Sequence, residues 1–475
     1  MSQVSPRLTV LSAEQIDHIH TASVDILENT GLKVHSSQAI EIFARSDGCK
    51  VSDGNVFLSA SLIQHCMDSA PDSIQVFDQA GEASFKLSAQ GSQDTIFGVG
   101  VTNTHYEDPV SGEIQPFQRH HVAQAARLTE SLSNFDLLST PGVLEDPDLQ
   151  DAEVLTALEM LSNTRKTLIP LITNMRQFEK MLDLFQYLKG DISSRPFLVP
   201  YFNPVTPLVL NGETSDKMIR SIDLGLPIIY SCYGMSGATA PITAASTLVL
   251  HNAELLAGLV FSQLIKPGTP IILGCLPSVF EMRHMTSAYT PQTMLVNLAC
   301  AEMMSHYRIP HAGTSGSGAG WGSDLPASGL LWMNHLTSVI GEAGMVPFVG
   351  GNFDSLVFSP GNVVYSNEII RLTRLFEKGF ALNDEQISME TIQEIGPGGN
   401  FLQSDQTLTL FREIHDQHNQ IWPGVSLEAW QKMGEPKASD LLRKQTRETL
   451  EEVEVPEDHD DLMARGEAWL RENRK

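Results

Sequence analysis

"LPIIYSCYGMSGATAPITAASTLVLHNAELLAGLVFSQLIKPGTPIILGCLP" (residues 226–277) reads as strand, helix, strand. Two short apolar runs closed by Gly or Pro bracket one long stretch, "AASTLVLHNAELLAGLVFSQLI", of helical length and character. Parallel strands need such a crossover, because their ends lie on opposite sides of the sheet. Working outward, the same rhythm recurs in "TIFGVGV", "FDLLSTPG", "TLIPLITN" and "PFLVPYFNP" before this unit, and in "RIPHAGTSG" and "MVPFVGGNF" after it. Amphipathic stretches such as "TSDKMIRSIDLG" and "PQTMLVNLACAEMMSHY" separate them. Eight repeats predict an α/β chain built as a (β/α)8 TIM barrel over residues 95–376, of the usual ~250-residue size. An open doubly wound sheet is the alternative.

Residues 1–94 read as an N-terminal α+β extension. Ser12 and Gln15 have capping-box spacing ahead of an apolar stripe at Ile16, Ile19, Val24, Ile26 and Leu27, and Asn29 and Gly31 supply the stop. "SSQAIEIFARSDGC" predicts a second helix, and "VSDGNVFL" a hairpin about Asp53-Gly54. Residues 377–475 show no strand rhythm, so a C-terminal helical segment wrapping back onto the barrel is expected, ending in an acidic tail.

A net charge of −26 disfavours nucleic acid and anionic membranes as partners and suits a cationic ligand. Five scattered cysteines without a CxxC indicate neither a disulfide framework nor a zinc ribbon, which points to a reducing compartment. The N-terminus lacks the apolar core of a signal peptide, and no uninterrupted apolar run reaches ~18 residues, so a cytoplasmic location is expected.

The glycine-rich stretch "IPHAGTSGSGAGWGSDLP" (309–326) follows the predicted seventh strand. Its glycines run GxGxGxG, without the third-glycine offset of a dinucleotide loop, and no GK[ST] follows. It reads as the loop at the strand's carboxyl end, where barrel enzymes build their sites. Trp321 within it is expected to pack against a neighbour.

Aromatics gather at the predicted strand ends: Tyr201, Phe202, Tyr230, Tyr233, Phe280, Trp321 and Phe353. Such a set suits a quaternary ammonium ligand through cation–π attraction, worth about 0.5–2 kcal/mol per ring. Asn103, Asn203, Glu281, Arg283, Asn352 and Asp354 are the polar candidates beside them, and Arg283 is the cation able to grip a carboxylate by two parallel hydrogen bonds. Metal signals are weak. His18/His20 point apart on a helix, His120/His121 are no better, and His415-x-x-His418 lacks a third ligand. No G-x-S-x-G elbow is present.

The order of "LSAEQIDHIHTASVDILENTGLKVHSS", "DPVSGEIQPF", "FEMRHMTSAYTP", "FVGGNFDSLVFSPGNVVYSNEII" and "IGPGGNFLQSDQTLTLFRE" resembles the trimethylamine methyltransferase family, in its members lacking pyrrolysine. The resemblance departs at Asn400 and Gln406, where histidines are expected. It implies a methyltransferase barrel that holds no cofactor permanently. The methyl acceptor would be the cob(I)alamin (corrinoid) of a partner protein docking at the barrel mouth, and the donor a small quaternary amine, with glycine betaine, giving dimethylglycine, in the lead. On this reading Arg283 fixes the carboxylate, Tyr233, Phe280, Trp321 and Phe353 shape the methyl pocket, Glu281 or Asn352 orients neighbouring groups, and Tyr201 and Asn203 also contact the substrate. Two competing readings are zinc-dependent betaine transfer to a thiol, which lacks visible ligands, and a non-catalytic quaternary-amine sensor. A homo-oligomer is also open.

Overall fold

The computed structural model describes residues 2–89, 94–145, 151–314, 320–415 and 420–473. The centre of the glycine-rich loop (315–319) and His418 lie outside them, so the readings placed there have no structural counterpart.

All eight strand runs form one closed parallel ring. In chain order the strands are Ile96–Val99, Leu137–Ser139, Thr167–Ile169, a fourth through Leu198 and Tyr201–Phe202, Ile228–Ser236, Ile271–Glu281, residues 311–312, and Met345–Val349. Each pairs with the next, and the eighth pairs in parallel with the first, Met345 opposite Ile96. Closure leaves no sheet edge, and it rules out the open doubly wound alternative.

A helix follows every strand: Arg119–Ser131, Ala152–Asn163, Met175–Lys189, Gly212–Asp223, Ala244–Ile265, Pro291–Tyr307, Leu325–Ile340 and Pro360–Lys378. The fifth is long and apolar enough to cross a membrane, but 83% of that window is buried within the chain. It is apolar on all sides because it is covered on all sides.

Side chains alternate in and out of the ring. Ile96, Leu137, Ile169, Val199, Ile229 and Ile272 fill the inside as one cluster. Residues one position away, such as Phe97, Leu138, Leu168 and Cys275, join the larger cluster between strands and helices. Where the sixth and seventh strands meet, Gly274 leaves no room: a Cβ there would stand 1.6 Å from the Ala312 carbonyl oxygen.

The N-terminal extension matches its sequence. Ser12 and Gln15 form the capping box of helix Ala13–Asp25, and Gly31 ends its continuation with φ 72°. The hairpin Cys49–Ser52/Asn55–Leu58 turns at Asp53 and Gly54, both with positive φ. A second hairpin, Ser73–Phe77/Ala83–Ser88, is absent from the sequence reading. Its alternating Ile74, Val76, Phe85 and Leu87 enter the inner cluster and plug the amino-terminal end of the barrel.

The C-terminal helices Ala438–Glu452 and His459–Glu472 wrap back as expected. Arg119 at the start of the first barrel helix ties the last one down, bonding Glu159 at 2.6 Å and Glu467 at 2.7 Å.

Behind the fifth strand, the buried Glu254 carboxylate accepts the Leu208 N–H at 2.7 Å and the Thr206 hydroxyl at 2.9 Å. Burial nevertheless pushes its pKa up to about 7. A carboxyl raised in the folded state favours folding at low pH, so its contribution is full below the unfolded value near ~4.3 and fades as pH rises through about 7. Glu254→Gln, which keeps the acceptor for Leu208, should flatten the fall in Tm across that window; an unchanged slope would assign the slope elsewhere. Gly274→Ala should cost roughly 3 kcal/mol, measured by denaturant unfolding, since backbone rather than a movable side chain is in the way.

Candidate active site

The carboxyl ends of the strands open into a cleft of about 580 Å³, lined by Thr102, Thr140, Leu171, Tyr201, Asn203 and Lys217 among others. This lies within the size range of small-molecule sites. Of the strand-end aromatics, Tyr201 and Phe202 line this cleft, and Tyr233 and Phe280 lie outside its lining. Tyr201, Asn203, Tyr233 and Phe280 sit at inward positions, in phase with Val199, Ile229 and Ile272. Phe202 and Tyr230, at outward positions, pack under the helices, Phe202 on Phe178 and Tyr230 over Gly258.

Tyr201 is buried, its ring edge-on to Phe348 at 5.1 Å. Asn203 Nδ2 donates to the Ser231 carbonyl at 2.7 Å and reaches the Tyr201 hydroxyl at 3.4 Å. Burial raises the Tyr201 pKa, so the phenol stays protonated.

The sixth strand runs on past the rim and folds back on Thr286–Ala288 as a hairpin, with Phe280 opposite Ser287. Cross-strand partners share a face. On that face Ser287 donates a hydrogen bond to Asp354, and Tyr289 follows two residues on. Burial raises the Tyr289 pKa, and the nearby Asp354 carboxylate and the Tyr233 and Tyr201 hydroxyls raise it further. Tyr289 therefore lies near Tyr233, Tyr201 and Asp354 at the carboxyl end of the barrel. Asp354 stands in a run of three left-handed residues, Phe353 to Ser355, with φ of 48°, 60° and 61°. Such backbone is costly for residues with a Cβ and concentrates where function requires a fixed direction. Burial raises the Asp354 pKa, against the opposing effect of Ser287.

The cleft itself is lined by two carboxylates, Glu153 and Glu213. Glu153 Oε1 accepts the Thr173 N–H and hydroxyl, at 2.9 and 2.7 Å, while Oε2 is buried without a partner among the described residues. The neighbouring Lys217 does not pair with it, because its ammonium donates to the Ile172 and Thr173 carbonyls at 2.6 and 2.9 Å. Across the eight loops between strand ends and following helices the sequence places nine acidic residues and a single Lys or Arg, Arg283. This mouth suits a cation.

Five expected residues, Arg283, Glu281, Trp321, Asn352 and Phe353, stand outside the cleft lining. Arg283 is exposed at the hairpin tip, and Glu281 bends back to accept the His284 N–H at 2.7 Å, because odd positions of the extended strand face away from Phe280. Trp321 is 77% exposed rather than packed. Asn352 is fully buried and spends its Oδ1 on Asn362 at 2.5 Å, a contact that holds the loop rather than lining the cleft. Phe353 is partly buried, its N–H bonded to the Gly320 carbonyl at 3.2 Å, which joins the seventh and eighth loops. Tyr289, Ser287 and Glu153 were not singled out from sequence. "MTSAYTP" gives no sign that its strand returns to the rim. No group of three or more His, Cys, Asp or Glu able to hold a metal occurs among the described residues.

The fold and the mouth define a class: a (β/α)8 protein with tyrosines and acidic residues at the carboxyl end of its barrel. Comparison with known proteins narrows it. The model of the trimethylamine methyltransferase (MTTB) family matches residues 1–471, and the chain belongs to that family. It is 26% identical over 457 residues to "Trimethylamine methyltransferase MttB" of Desulfitobacterium hafniense (strain DSM 10664 / DCB-2), covering 94% of this chain and 91% of that one. It is 27% identical over 433 residues to "Glycine betaine methyltransferase" of D. hafniense (strain Y51), covering 86% and 85%. The monomethylamine methyltransferase MtmB of Methanosarcina barkeri shares the fold, with a TM-score of 0.53 over 93% of this chain and 87% of that one, at 9% identity.

If Asp354 faces the ligand's positive charge, Asp354→Asn should raise the Kd of tetramethylammonium at least tenfold at pH 7. In the unaltered protein that Kd should rise as pH falls through a value above the ordinary carboxylate range, and the variant should lack the dependence. Calorimetric titration across pH checks both.

Proposed function

We propose that the protein transfers a methyl group from a small quaternary amine to the corrinoid of a separate protein. The observation that carries this reading is the convergence of Tyr201, Tyr233 and Tyr289 with Asp354 in a mouth almost without basic residues. Membership of the methyltransferase family supports the reaction class. Glycine betaine, named for one relative, is the first donor to test. Arg283 is the one Lys or Arg in the eight loops, and so the cation there that could meet a donor carboxylate.

The chemistry asks little acid–base work of the chain. The carbon–nitrogen bond breaks with its electron pair leaving on nitrogen, so the amine departs neutral and needs no proton. Cob(I)alamin, when the partner brings it, supplies the nucleophile. The chain's own residues orient the donor, and holding reacting atoms near attack distance is worth several kcal/mol. The tyrosine faces and Asp354 must also not grip too hard, since nitrogen loses its charge on the way to the transition state.

The rim fits an incoming protein. Val143, Val205, Ile242, Met282, Met285 and Leu356, drawn from five different loops, are all exposed, and apolar groups of this kind mark contact surfaces. The notion of a sensor shares the same cage but requires no such rim.

The direct test incubates purified protein with cob(I)alamin, free or on a corrinoid protein, and a panel of quaternary amines. Methylated corrinoid is followed by absorbance and the demethylated amine by mass spectrometry. Turnover with glycine betaine and none with trimethylamine is expected, and Arg283→Ala should then raise KM for glycine betaine several-fold. Binding without turnover on any corrinoid would favour the sensor. Met285→Glu should raise the KM for the corrinoid protein about tenfold or more and leave transfer to free cobalamin unchanged; equal loss on both would remove the rim from the docking surface.

A further inference from the structure

The cleft and the tyrosine cluster are two compartments that share one wall. Tyr201 belongs to both, since it lines the cleft and stands near Tyr289, while Tyr233, Tyr289 and Asp354 are absent from the cleft lining. From Tyr201 and Asn203 the cleft runs outward between the second, third and fourth loops, to the starts of helices Ala152–Asn163 and Gly212–Asp223. It is a side chamber to the site proposed for the quaternary amine.

The polar groups at its outer end differ from those around Asp354. Thr173 is gripped from two directions: its N–H and hydroxyl go to Glu153 Oε1, at 2.9 and 2.7 Å, and its carbonyl accepts from the Lys217 ammonium at 2.9 Å. Glu213 Oε2 accepts the Met175 N–H at 2.6 Å. Two carboxylates and one ammonium are thus fixed on the backbone of residues 172–175, an excess of one negative charge. Glu153 Oε2 is left over, buried and without a hydrogen-bond donor among the described residues. A buried carboxylate oxygen is costly to leave bare, so this atom calls for an N–H or O–H brought from outside.

A quaternary ammonium cannot be that donor, because its nitrogen carries no hydrogen. The amine left by methyl transfer can. It departs neutral, its lone pair takes a proton from water with hydroxide passing to the bulk, and it becomes a tertiary ammonium with one N–H. Charge and hydrogen bonding then both match Glu153, and a charge-assisted bond is about twice as strong as a neutral one.

We infer that the cleft is a product subsite, in which a tertiary ammonium that has passed Tyr201 gives its N–H to Glu153 Oε2. Pro170, Leu171, Ile172 and Val205 supply an apolar wall for its methyl groups. The inference rests on the methyl-transfer reading for the origin of the amine, and on the cleft alone for its binding.

Trimethylammonium and tetramethylammonium are the probes, because they differ only in one hydrogen replaced by methyl. Calorimetric titration of the full chain at pH 7 should show trimethylammonium binding even under saturating tetramethylammonium. Glu153→Gln, which keeps Oε1 for Thr173, should raise the Kd of trimethylammonium at least tenfold and leave that of tetramethylammonium within twofold. A purely structural loss would weaken both. Val205→Trp, at an exposed position of the lining, should fill the cleft and weaken trimethylammonium in the same way. Equal weakening of both cations, a trimethylammonium Kd unmoved by either substitution, or full competition between the two cations would overturn the inference. The probes need no corrinoid, so a failure of methyl transfer would remove the proposed reaction and leave the subsite standing. Where transfer occurs, the inhibition constant of the demethylated product should rise at least tenfold in Glu153→Gln; an unchanged constant would overturn the product role.

Discussion

The parallel pairing of the eighth strand with the first is the constraint on which everything else rests. Closing the ring fixes, for every strand, which alternate side chains look inward. That single choice puts Ile and Val in the core and, further along the same faces, Tyr201, Tyr233 and Phe280 at the mouth. A shift of one residue in the fifth strand would exchange Tyr233 for its neighbour Cys232 and empty the site. Packing and recognition are thus written on one set of strands, with the core below and the ligand groups above.

The site's electrostatics follow from what the loops leave out. With nine acids against one arginine, the mouth has the charge of a cation receptor before any pocket is formed. Shape then selects among the acids. Ser287 and the left-handed run 353–355 fix the direction of Asp354 beside Tyr289, while Glu281 is consumed in its own turn.

Much of the barrel was legible because its signals are local. Each strand run ends in Gly, Pro, Asn or Ser, and Ser12, Gln15 and Gly31 mark a helix by chemistry acting over three or four residues. The same locality explains Tyr201 and Tyr233, which inherit their direction from strand parity. What sequence hid is what depends on contacts far apart in the chain. Tyr289 and Ser287 matter only because the sixth strand overshoots the barrel and returns, and Glu153 only because Lys217 is occupied elsewhere. The place of Arg283 was hidden for the same reason: the overshoot carries it to an exposed tip.

The hairpin of residues 73–88 that fills the amino-terminal end has a kinetic meaning. With the strand side chains that fill the barrel's interior, it closes the amino-terminal end and leaves a flask that opens at the carboxyl mouth. In a flask with one neck, whatever reaches Tyr201 enters before the neck is covered and leaves after it is uncovered. Traffic is therefore ordered, first in being last out, and the slow step of a cycle can be the lifting of the stopper.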